Sequence, residues 1–351
     1  RANWVFNRLL SALSFLHRWN STDNPFSRLP NLDDHVSRAM HWCFPEFLLP
    51  APLDWMPSNC PVGEKIWFTK NGIGPWLATS GWALQEDQHL WSDGYQARLV
   101  MKLAPAGNRT LRVSLNLLPY LPPKRGLFKL DVAINQVHQP RLRLIRGSLG
   151  SRYAFFVPRI ANLDDVVDVI LTPVTPRRPS SEENSHDTRL LGVCMQSMRI
   201  DPVPEVAIAD SIFFGKAGVG EIFLGVGWWA TEDQGVWSAM PSANVYLPLH
   251  ENLVNEPAIR ALKIVLTTFS PKNNVARLTL CCGGRCFAKE HFQFNGSIKR
   301  EVLLPLRQAN VDMRHLELEF RVGAIHSPFE SGGSDDWRSL GVMLHEVSIL
   351  S

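Results

Sequence analysis

Apolar and polar residues alternate along most of the chain after residue 75, where the period of an amphipathic helix is absent. The segments 111–117 (LRVSLNL) and 316–322 (LELEFRV) show this alternation most clearly. It is typical of β-strands that bury one face and expose the other. Turn residues separate such segments at the short intervals found in antiparallel sandwiches. The pattern therefore predicts an all-β fold.

The first 75 residues have a different pattern. Residues 3–17 have the spacing of an amphipathic helix, and residues 33–42 predict a second helix that begins at an Asp cap. A Pro-rich extended stretch follows at residues 45–61. We therefore expect residues 1–75 to form a helical and extended N-terminal arm, or the tail of an upstream domain.

Two motifs occur twice in the chain. Residues 81–92 match residues 227–238 at a constant offset of 146, and Gly, Trp, Glu, Asp, Gln, Trp and Ser recur in the same order. Residues 187–193 match residues 336–342 at an offset of 149. Self-similarity of this kind indicates a duplicated folding unit.

The repeats and the alternation together predict two tandem antiparallel β-sandwich domains, jelly-roll-like, after the short helical N-terminal region. The first domain covers residues 76–202 and the second covers residues 219–351. Residues 203–218 are expected to be a linker. The glycines at 215–220 lack the following helix of a phosphate-binding loop, so we interpret them as the linker entering the second domain.

The bulk composition excludes some partners. A formal net charge of +3 is too small for sequence-independent binding of nucleic acid. No stretch has the ~18 consecutive apolar residues of a membrane helix, so we expect no transmembrane segment in this chain. The 12 tryptophans are an excess that serves either core packing or stacking against sugar rings.

Three of the six cysteines lie close together, in the run Cys281–Cys286. Their spacing is unlike a zinc site or a disulfide framework, and the glycines between them predict a hairpin turn. We expect no metal and no cofactor. A chain without a disulfide framework favours a reducing compartment, and the expected location is the cytoplasm or the cytoplasmic side of a membrane.

The repeated motifs supply the candidate site residues. Neighbouring strand residues point to opposite faces, so the Glu-Asp pairs do not suit the converging carboxylates of a glycosidase. We predict no catalytic residue. A structural role is predicted for Glu86, Asp87, Asp187, Glu232, Asp233 and Asp336. Ligand contacts are predicted for Trp82, Trp91, Arg189, Trp228, Trp229, Trp237 and Arg338.

Each closing motif has an Asp and an Arg two positions apart, so both side chains lie on one face of a strand. That spacing fits a structural ion pair, and it also fits an Arg that binds a ligand carboxylate or phosphate. The first and last strands of a sandwich commonly pair. We therefore expect Arg189 and Arg338 to lie beside the acidic loops 86–88 and 232–234.

The order Gly-Trp…Glu-Asp…Trp-Ser, followed by Asp-x-Arg-x-Leu-Gly-Val, resembles the small β-sandwich modules appended to bacterial surface-polysaccharide proteins. These include glycosyltransferases and phosphoglycerol-transferase-like enzymes. The resemblance covers both repeats and leaves out the N-terminal region. It implies a context and not a reaction: a non-catalytic accessory region that binds polysaccharide, or that positions a catalytic partner domain or protein.

Two other functions fit the pattern. A structural or assembly subunit would use the duplicated sandwiches for protein–protein contact. A carbohydrate-active enzyme would need two carboxylates outside the repeated motifs, for which the candidates are Asp164, Asp165, Glu182 and Glu183. A ligand site is expected first where the repeats differ, namely at Lys124–Arg125, Arg177–Arg178 and Cys281–Cys286.

Overall fold

The computed structural model describes residues 60–83, 86–104, 109–123, 126–145, 152–157, 165–183, 185–250, 261–269, 271, 275–283, 285–293, 299–306, 315–332 and 334–350. The helices expected at 3–17 and 33–42 lie outside the described residues. Most of the described chain is β-strand, as the all-β expectation required. Within these ranges, no helix is both long enough and apolar enough to cross a membrane.

The first half of the chain forms two antiparallel sheets. Its strands are β1 (Lys65–Trp67), β2 (Ala78–Ser80), β3 (Leu90–Asp93), β4 (Ala97–Lys102), β5 (Leu111–Pro119), β6 (Leu127–Ile134), β7 (Val137–His138), β8 (Leu142–Ile145), β9 (Arg152–Val157), β10 (Val166–Pro173) and β11 (Leu191–Pro202). The sheet orders are β1-β11-β5-β9, with β3 on β11, and β2-β4-β10-β6-β7, with β8 on β6. A 3-10 helix covers Gly74–Leu77 and one α-helical turn covers Pro179–Glu182.

The second half forms two further sheets. Its strands are β12 (Ser211–Phe213), β13 (Val236–Trp237), β14 (Ser242–Pro248), β15 (Ala261–Thr268), β16 (Val275–Cys282), β17 (Arg285–Gln293), β18 (Arg300–Pro305), β19 (His315–Val322) and β20 (Val342–Leu350). The sheet orders are β12-β20-β15-β18, with β13 on β20, and β14-β19-β16-β17. A 3-10 helix covers Gly220–Phe223.

The two halves have the same strand order. With β2, β3 and β13 set aside, and with β7 and β8 counted as one interrupted strand because both pair with β6, each half contributes eight strands. Their sheets run first-eighth-third-sixth and second-seventh-fourth-fifth, the order that results when four antiparallel strand pairs wrap around one core. Each half therefore has the strand order of a jelly roll. The expectation of an antiparallel β-sandwich fold is confirmed, whereas the division into two tandem domains stays a prediction. We call β1–β11 the first jelly roll and β12–β20 the second.

Alternate residues of the facing sheets form the core of the second jelly roll. Ile264 and Leu344 of one sheet meet Leu280, Leu318 and Phe320 of the other in one buried cluster. Burial of each such side chain contributes ~1.5–3 kcal/mol. The alternation that predicted the strands is thus what closes the sandwich.

Strands occur within both segments that we expected to be arm and linker. Cys60 pairs with Leu103 and Val206 pairs with Leu249, again at an offset of 146, and β1 and β12 follow these bridges. The glycines near residue 218 belong to this part of the fold, because a Cβ on Gly218 would lie 2.0 Å from a backbone oxygen. β1 and β12 have three residues each, which is too few to show alternation.

The chain divides into two compact units. One comprises residues 1–106, 117–150 and 162–198, and the other comprises 107–116, 151–161 and 199–351. The boundary falls within β5 and within β11, and it sets β9 in the second unit. The compact units therefore do not coincide with the sequence repeats.

Candidate functional site

The signature opens with a glycine and a tryptophan that hold neighbouring strands. Gly81 has φ +73°, and a Cβ there would lie 1.7 Å from the carbonyl oxygen of Gln96. The indole N–H of Trp82 donates to the Arg98 carbonyl at 2.9 Å. The equivalent residues of the second jelly roll are Gly227 (φ +97°), Trp228 and Asn244, with an indole–carbonyl distance of 2.7 Å.

The serine that ends the signature binds the closing strand. Ser92 is fully buried, and its Oγ accepts a hydrogen bond from the Val193 amide at 2.9 Å. A Cβ on Gly192 would lie 2.8 Å from that Oγ, so a side chain there would displace the serine. The second jelly roll repeats the contact with Ser238, Gly341 and Val342, also at 2.9 Å. The two motifs therefore join β3 to β11 and β13 to β20.

An arginine links the acidic loop to the closing motif. Arg189 binds Asp187 through Nε and Nη2, at 2.7 Å for Nη2, and its Nη1 lies 2.8 Å from Glu86 Oε1. The second copy consists of Arg338, Asp336 and Glu232, with both ion-pair distances at 2.8 Å. We call these sets the arginine triads. The expected proximity of each arginine to its acidic loop is confirmed. The expected strand position of the closing Asp and Arg is wrong, because both lie in the loop that precedes β11 or β20.

The aspartate and the arginine of each triad keep their charges near neutral pH. The hydrogen bonds from Arg189 lower the pKa of Asp187, although partial burial opposes this effect. The hydrogen bond to Asp187, and then that to Glu86, raise the pKa of Arg189 against the opposing effect of burial. The pKa of Asp336 is lowered and that of Arg338 is raised for the same reasons.

The aspartate of each Glu-Asp pair faces solvent. The side chain of Asp87 is 88% exposed, with Lys70 Nζ at 3.9 Å from Oδ1. Asp233 is similarly exposed and lies 2.9 Å from Lys216 Nζ. The glutamate of each pair binds its arginine instead. The two carboxylates of a pair therefore have different partners, but strand alternation is not the reason that we expected it to be. Both pairs lie in the loops that precede β3 and β13.

An open depression of about 680 Å³ lies beside the arginine triad of the second jelly roll. We call it the triad depression. It is lined by Lys216, Glu232, Asp233, Gln234, Trp237, Thr267, Lys299, Arg338, Met343 and His345. The sequence predicted four of these residues from the repeated motifs. Lys216 and Gln234 also have counterparts at an offset of 146, so repetition could have indicated them, whereas the remaining residues come from distant segments.

A buried polar pair forms part of the lining. His345 and Thr267 are 3% and 4% exposed. The Nδ1 atom of His345 lies 2.7 Å from the Gln234 carbonyl oxygen, and Nε2 lies 2.8 Å from Thr267 Oγ1. Burial lowers the pKa of His345, the hydrogen bond to Gln234 opposes this, and the charge of Lys299 lowers it further. The neutral ring thus donates from Nδ1 and accepts from Thr267, which fixes the loop at residue 234.

Three residues of the triad depression have a polar or charged group without a partner among the described residues. Glu232 uses Oε1 for Arg338, and its Oε2 has no partner there. Lys299 has no carboxylate within ion-pair distance in the same part of the chain. The half-buried Trp237 packs edge-on against Phe269, and its indole N–H has no acceptor among these residues.

In the first jelly roll, a histidine side chain contacts the glutamate that is equivalent to Glu232. His89 occupies the place of Gly235, and its Nε2 lies 2.9 Å from Glu86 Oε2. Its ring also packs edge-on against Trp91 at 5.8 Å between centroids. The carboxylate oxygen that is open in the second jelly roll is therefore occupied in the first.

The other predicted ligand contacts have partners within the fold. The indole N–H of Trp229 donates to the Ser339 carbonyl at 2.9 Å, as those of Trp82 and Trp228 do to other carbonyls. Trp91 packs edge-on against Tyr120, and Arg189 belongs to its triad. Of the seven predicted ligand residues, Trp237 and Arg338 line the triad depression. A ligand role for the others stays a prediction.

One of the loops that differ between the repeats also has internal partners. Arg177 lies 3.4 Å from Glu182, and Arg178 donates to the Thr188 carbonyl. Lys124–Arg125 and Asp164 lie outside the described residues.

The hairpin predicted around Gly283 is present between β16 and β17. Its register places Cys281 opposite Cys286, and the two form a disulfide bond, which our reading of the cysteine spacing did not predict. Burial raises the pKa of the Cys194 and Cys282 thiols to about 12 and about 11, so both stay protonated near neutral pH.

No protein-family model matches the chain, and no curated protein matches it. Solved structures match at low similarity. The ANX1 ectodomain from Arabidopsis thaliana is 10% identical, with 82% of this chain and 97% of that chain covered and a TM-score of 0.27. The tandem CBM22-1–CBM22-2 domain of Paenibacillus barcinonensis Xyn10C is 10% identical, with 84% and 99% covered and a TM-score of 0.29. A triple jelly-roll protein of an archaeal virus turret is 10% identical, with 84% and 67% covered and a TM-score of 0.32. The fold assignment therefore rests on the strand order of the chain itself.

Proposed function

We propose that this chain is a non-catalytic accessory region of a bacterial polysaccharide-biosynthesis protein, and that the triad depression of its second jelly roll binds glycan. The observation that supports binding is the composition of this depression. One half-buried aromatic ring lies beside a carboxylate oxygen, an amide side chain and an ammonium group that the described fold does not use. The catalytic partner and the cytoplasmic location remain part of the proposal. The Cys281–Cys286 disulfide removes the sequence argument for a reducing compartment, so the location now depends on the resemblance alone.

The chemistry of this lining suits a sugar. A flat indole ring covers the apolar face of a pyranose, and Trp237 has one edge held by Phe269. Sugar hydroxyls donate to carboxylate and amide oxygens, for which Glu232 Oε2 and the Gln234 side chain are available at the rim. The rigid support beneath them, from the Thr267–His345 pair, lowers the entropic cost of binding.

A non-catalytic role is supported by the duplication of the acidic residues. Glu232 and Asp336 bind Arg338, and Glu86 and Asp187 bind Arg189 in the same way. A carboxylate set that recurs as ion pairs in both jelly rolls serves the fold. The enzyme alternative would require a different pair.

A glycan array followed by titration calorimetry tests the proposal. We expect at least one polysaccharide to bind, and we expect Trp237→Ala to weaken that binding about tenfold or more, as for an aromatic anchor. The matched control is Trp91→Ala in the first jelly roll, which should leave affinity unchanged. Because Trp237→Ala removes core contacts as well, Gln234→Ala at the exposed rim serves as a second variant. No binding across the panel, or equal losses from Trp237→Ala and Trp91→Ala, would exclude the site.

One observation favours protein–protein contact as a second function. Phe329 and Trp337 are 62% and 65% exposed, and the Phe329 amide donates to the Asp336 carbonyl across their shared loop at 2.9 Å. Exposed aromatic residues are enriched at binding surfaces. Mass photometry of the chain and of Trp337→Ala tests this alternative, which requires an assembly that the substitution dissociates.

A further inference from the structure

The charged groups of the triad depression differ in how far the fold neutralises them. Arg338 has carboxylates at 2.8 Å on two sides, from Glu232 and Asp336. Lys216 has Asp233 at 2.9 Å. Lys299 has no such carboxylate within the described ranges. The depression therefore has one cation whose charge the described protein leaves uncompensated.

The triad depression has a cation, Lys299, near the buried His345 and carboxylates in the acidic loop. Lys299 precedes β18 and lies close enough to His345 for its charge to act on that ring. The ring is neutral and already fully hydrogen-bonded, so it offers no negative charge to Lys299. The acceptor groups, Glu232 Oε2 and the Asp233 carboxylate, belong to the acidic loop at residues 232–233.

From this arrangement, and resting on the proposed glycan site, we propose that the triad depression selects an acidic sugar whose ring carboxylate pairs with Lys299. The hydroxyls of the same sugar donate to Glu232, and its apolar face packs on Trp237. A uronic acid has all three features on one ring. Neutral sugars lack the partner for Lys299.

A carboxylate suits this site better than a phosphate ester. A phosphate monoester carries about −1.5 to −2 charges at pH 7 and is usually bound by several cations or by backbone N–H groups. Here one uncompensated ammonium group is available, and Glu232 and Asp233 repel surplus negative charge. A monoanion balances Lys299 without leaving charge in excess.

The test compares uronic-acid polysaccharides with their carboxyl-reduced counterparts, which differ only at C6. By calorimetry at low salt, we expect the whole chain to bind a uronate polymer about twofold to fivefold more tightly than the reduced polymer, the range of a partly exposed ion pair. Lys299→Gln should abolish this preference and leave affinity for the reduced polymer unchanged. Lys102→Gln, an exposed position on β4 of the first jelly roll, removes the same charge as a control.

Each outcome separates this inference from the proposed function. Equal binding of the uronate and the reduced polymer, or an unchanged preference in Lys299→Gln, would overturn the acidic-sugar inference and leave glycan binding intact. Tighter binding of a sugar phosphate than of the uronate would also overturn it, in favour of a phosphate-bearing glycan. Binding of neither polymer class, nor of any glycan on the array, would remove the proposed function itself.

Discussion

The two jelly rolls share one structural scaffold and differ in what covers it. In both, a Gly-Trp pair, a buried serine and an arginine triad connect the signature to the closing strand with nearly identical distances. At the surface, His89 covers the triad of the first jelly roll, whereas Gly235 leaves that of the second open. Faithful repetition therefore marks the part that folds, and divergence marks the part that is available for a ligand.

The two jelly rolls also differ in the buried residues beneath this position. Matching backbone hydrogen bonds place Gln196 in the first jelly roll where His345 lies in the second, since Phe68 and Phe214 donate to their respective carbonyls. The amides of Tyr120 and Phe269 donate to the equivalent carbonyls of Gly192 and Gly341, which aligns Leu118 with Thr267. The buried polar pair thus occurs only beneath the open position, among the residues that the structure describes. The pair supports the loop at residue 234, which borders the proposed glycan site.

The largest expected effect is the loss of stability on adding a side chain at Gly235 of the second jelly roll. A Cβ at Gly235 would lie 2.4 Å from the Leu344 carbonyl oxygen, so Gly235→Ala should lower the free energy of unfolding by ~1–3 kcal/mol. His89→Ala, at a position that already accommodates a side chain, should cost less. Urea denaturation followed by tryptophan fluorescence measures both. A cost for Gly235→Ala that is no larger than that of His89→Ala would contradict this account of the difference.

Replacing the arginine of either triad should lower stability by a similar amount, but only one of the two replacements should affect glycan binding. Arg338→Met and Arg189→Met each leave two carboxylates without their cation, and we expect each to cost ~1 kcal/mol after allowing for solvent screening. Only Arg338→Met should weaken glycan binding. Thermal unfolding and calorimetry on the same samples measure the two effects.

The acid dependence of the same variants provides a second measurement. Because the folded pKa of Asp336 is depressed, its contribution is present above the unfolded pKa and is lost as the pH falls through the folded value. Arg338→Met should therefore flatten the loss of stability on the acid side. An unchanged acid slope would show that the triad does not stabilise the charged carboxylate.

The smallest expected effect is the contribution of His345 to the pH dependence of stability. Its folded pKa lies below the unfolded value, so the unfolded state takes up a proton first, and stability should decline as the pH falls below about 6.5. His345→Gln should reduce the difference in Tm between pH 7.5 and pH 5.5, and Gln196 shows that the fold accepts glutamine at the equivalent position. The groups that face the ring are Lys299, Thr267 and the Gln234 carbonyl. Identical pH profiles of the two proteins would contradict the role of burial.

Much of the fold could be predicted from the sequence because its signals are local or repeated. The alternation in β5 and β19 predicted strands, although residues 111–115 of β5 are buried on both faces and not on one, as we expected. The glycines before Arg285 predicted the β16–β17 hairpin. The proximity of Arg189 to Glu86 was predicted from a pairing of first and last strands, although the pair that produces it in the structure is β3 with β11. By contrast, β1 and β12 were not predicted, because three residues have no measurable period. The Cys281–Cys286 disulfide depended on a cross-strand register that spacing alone does not define.

The candidate site was harder to predict than the fold. Trp237 and Arg338 were predicted because they belong to repeated motifs, but the same reasoning included Trp82 and Trp228, whose indole groups bind backbone carbonyls. Lys299 and Thr267 belong to no motif. Only the pairing of β15 with both β18 and β20 brings them together.

By itself, the sequence determined that the chain is a duplicated, all-β protein with a repeated Gly-Trp…Trp-Ser signature, because strand alternation and motif recurrence can be read along one dimension. The tertiary structure alone decided which copy of that signature is open. Exposure depends on atoms that are distant in sequence: the oxygen of Leu344 excludes a side chain at Gly235, and His89 covers Glu86 in the other copy. The signature is thus the connection that holds each jelly roll closed, and its surroundings in space make one copy available for a ligand.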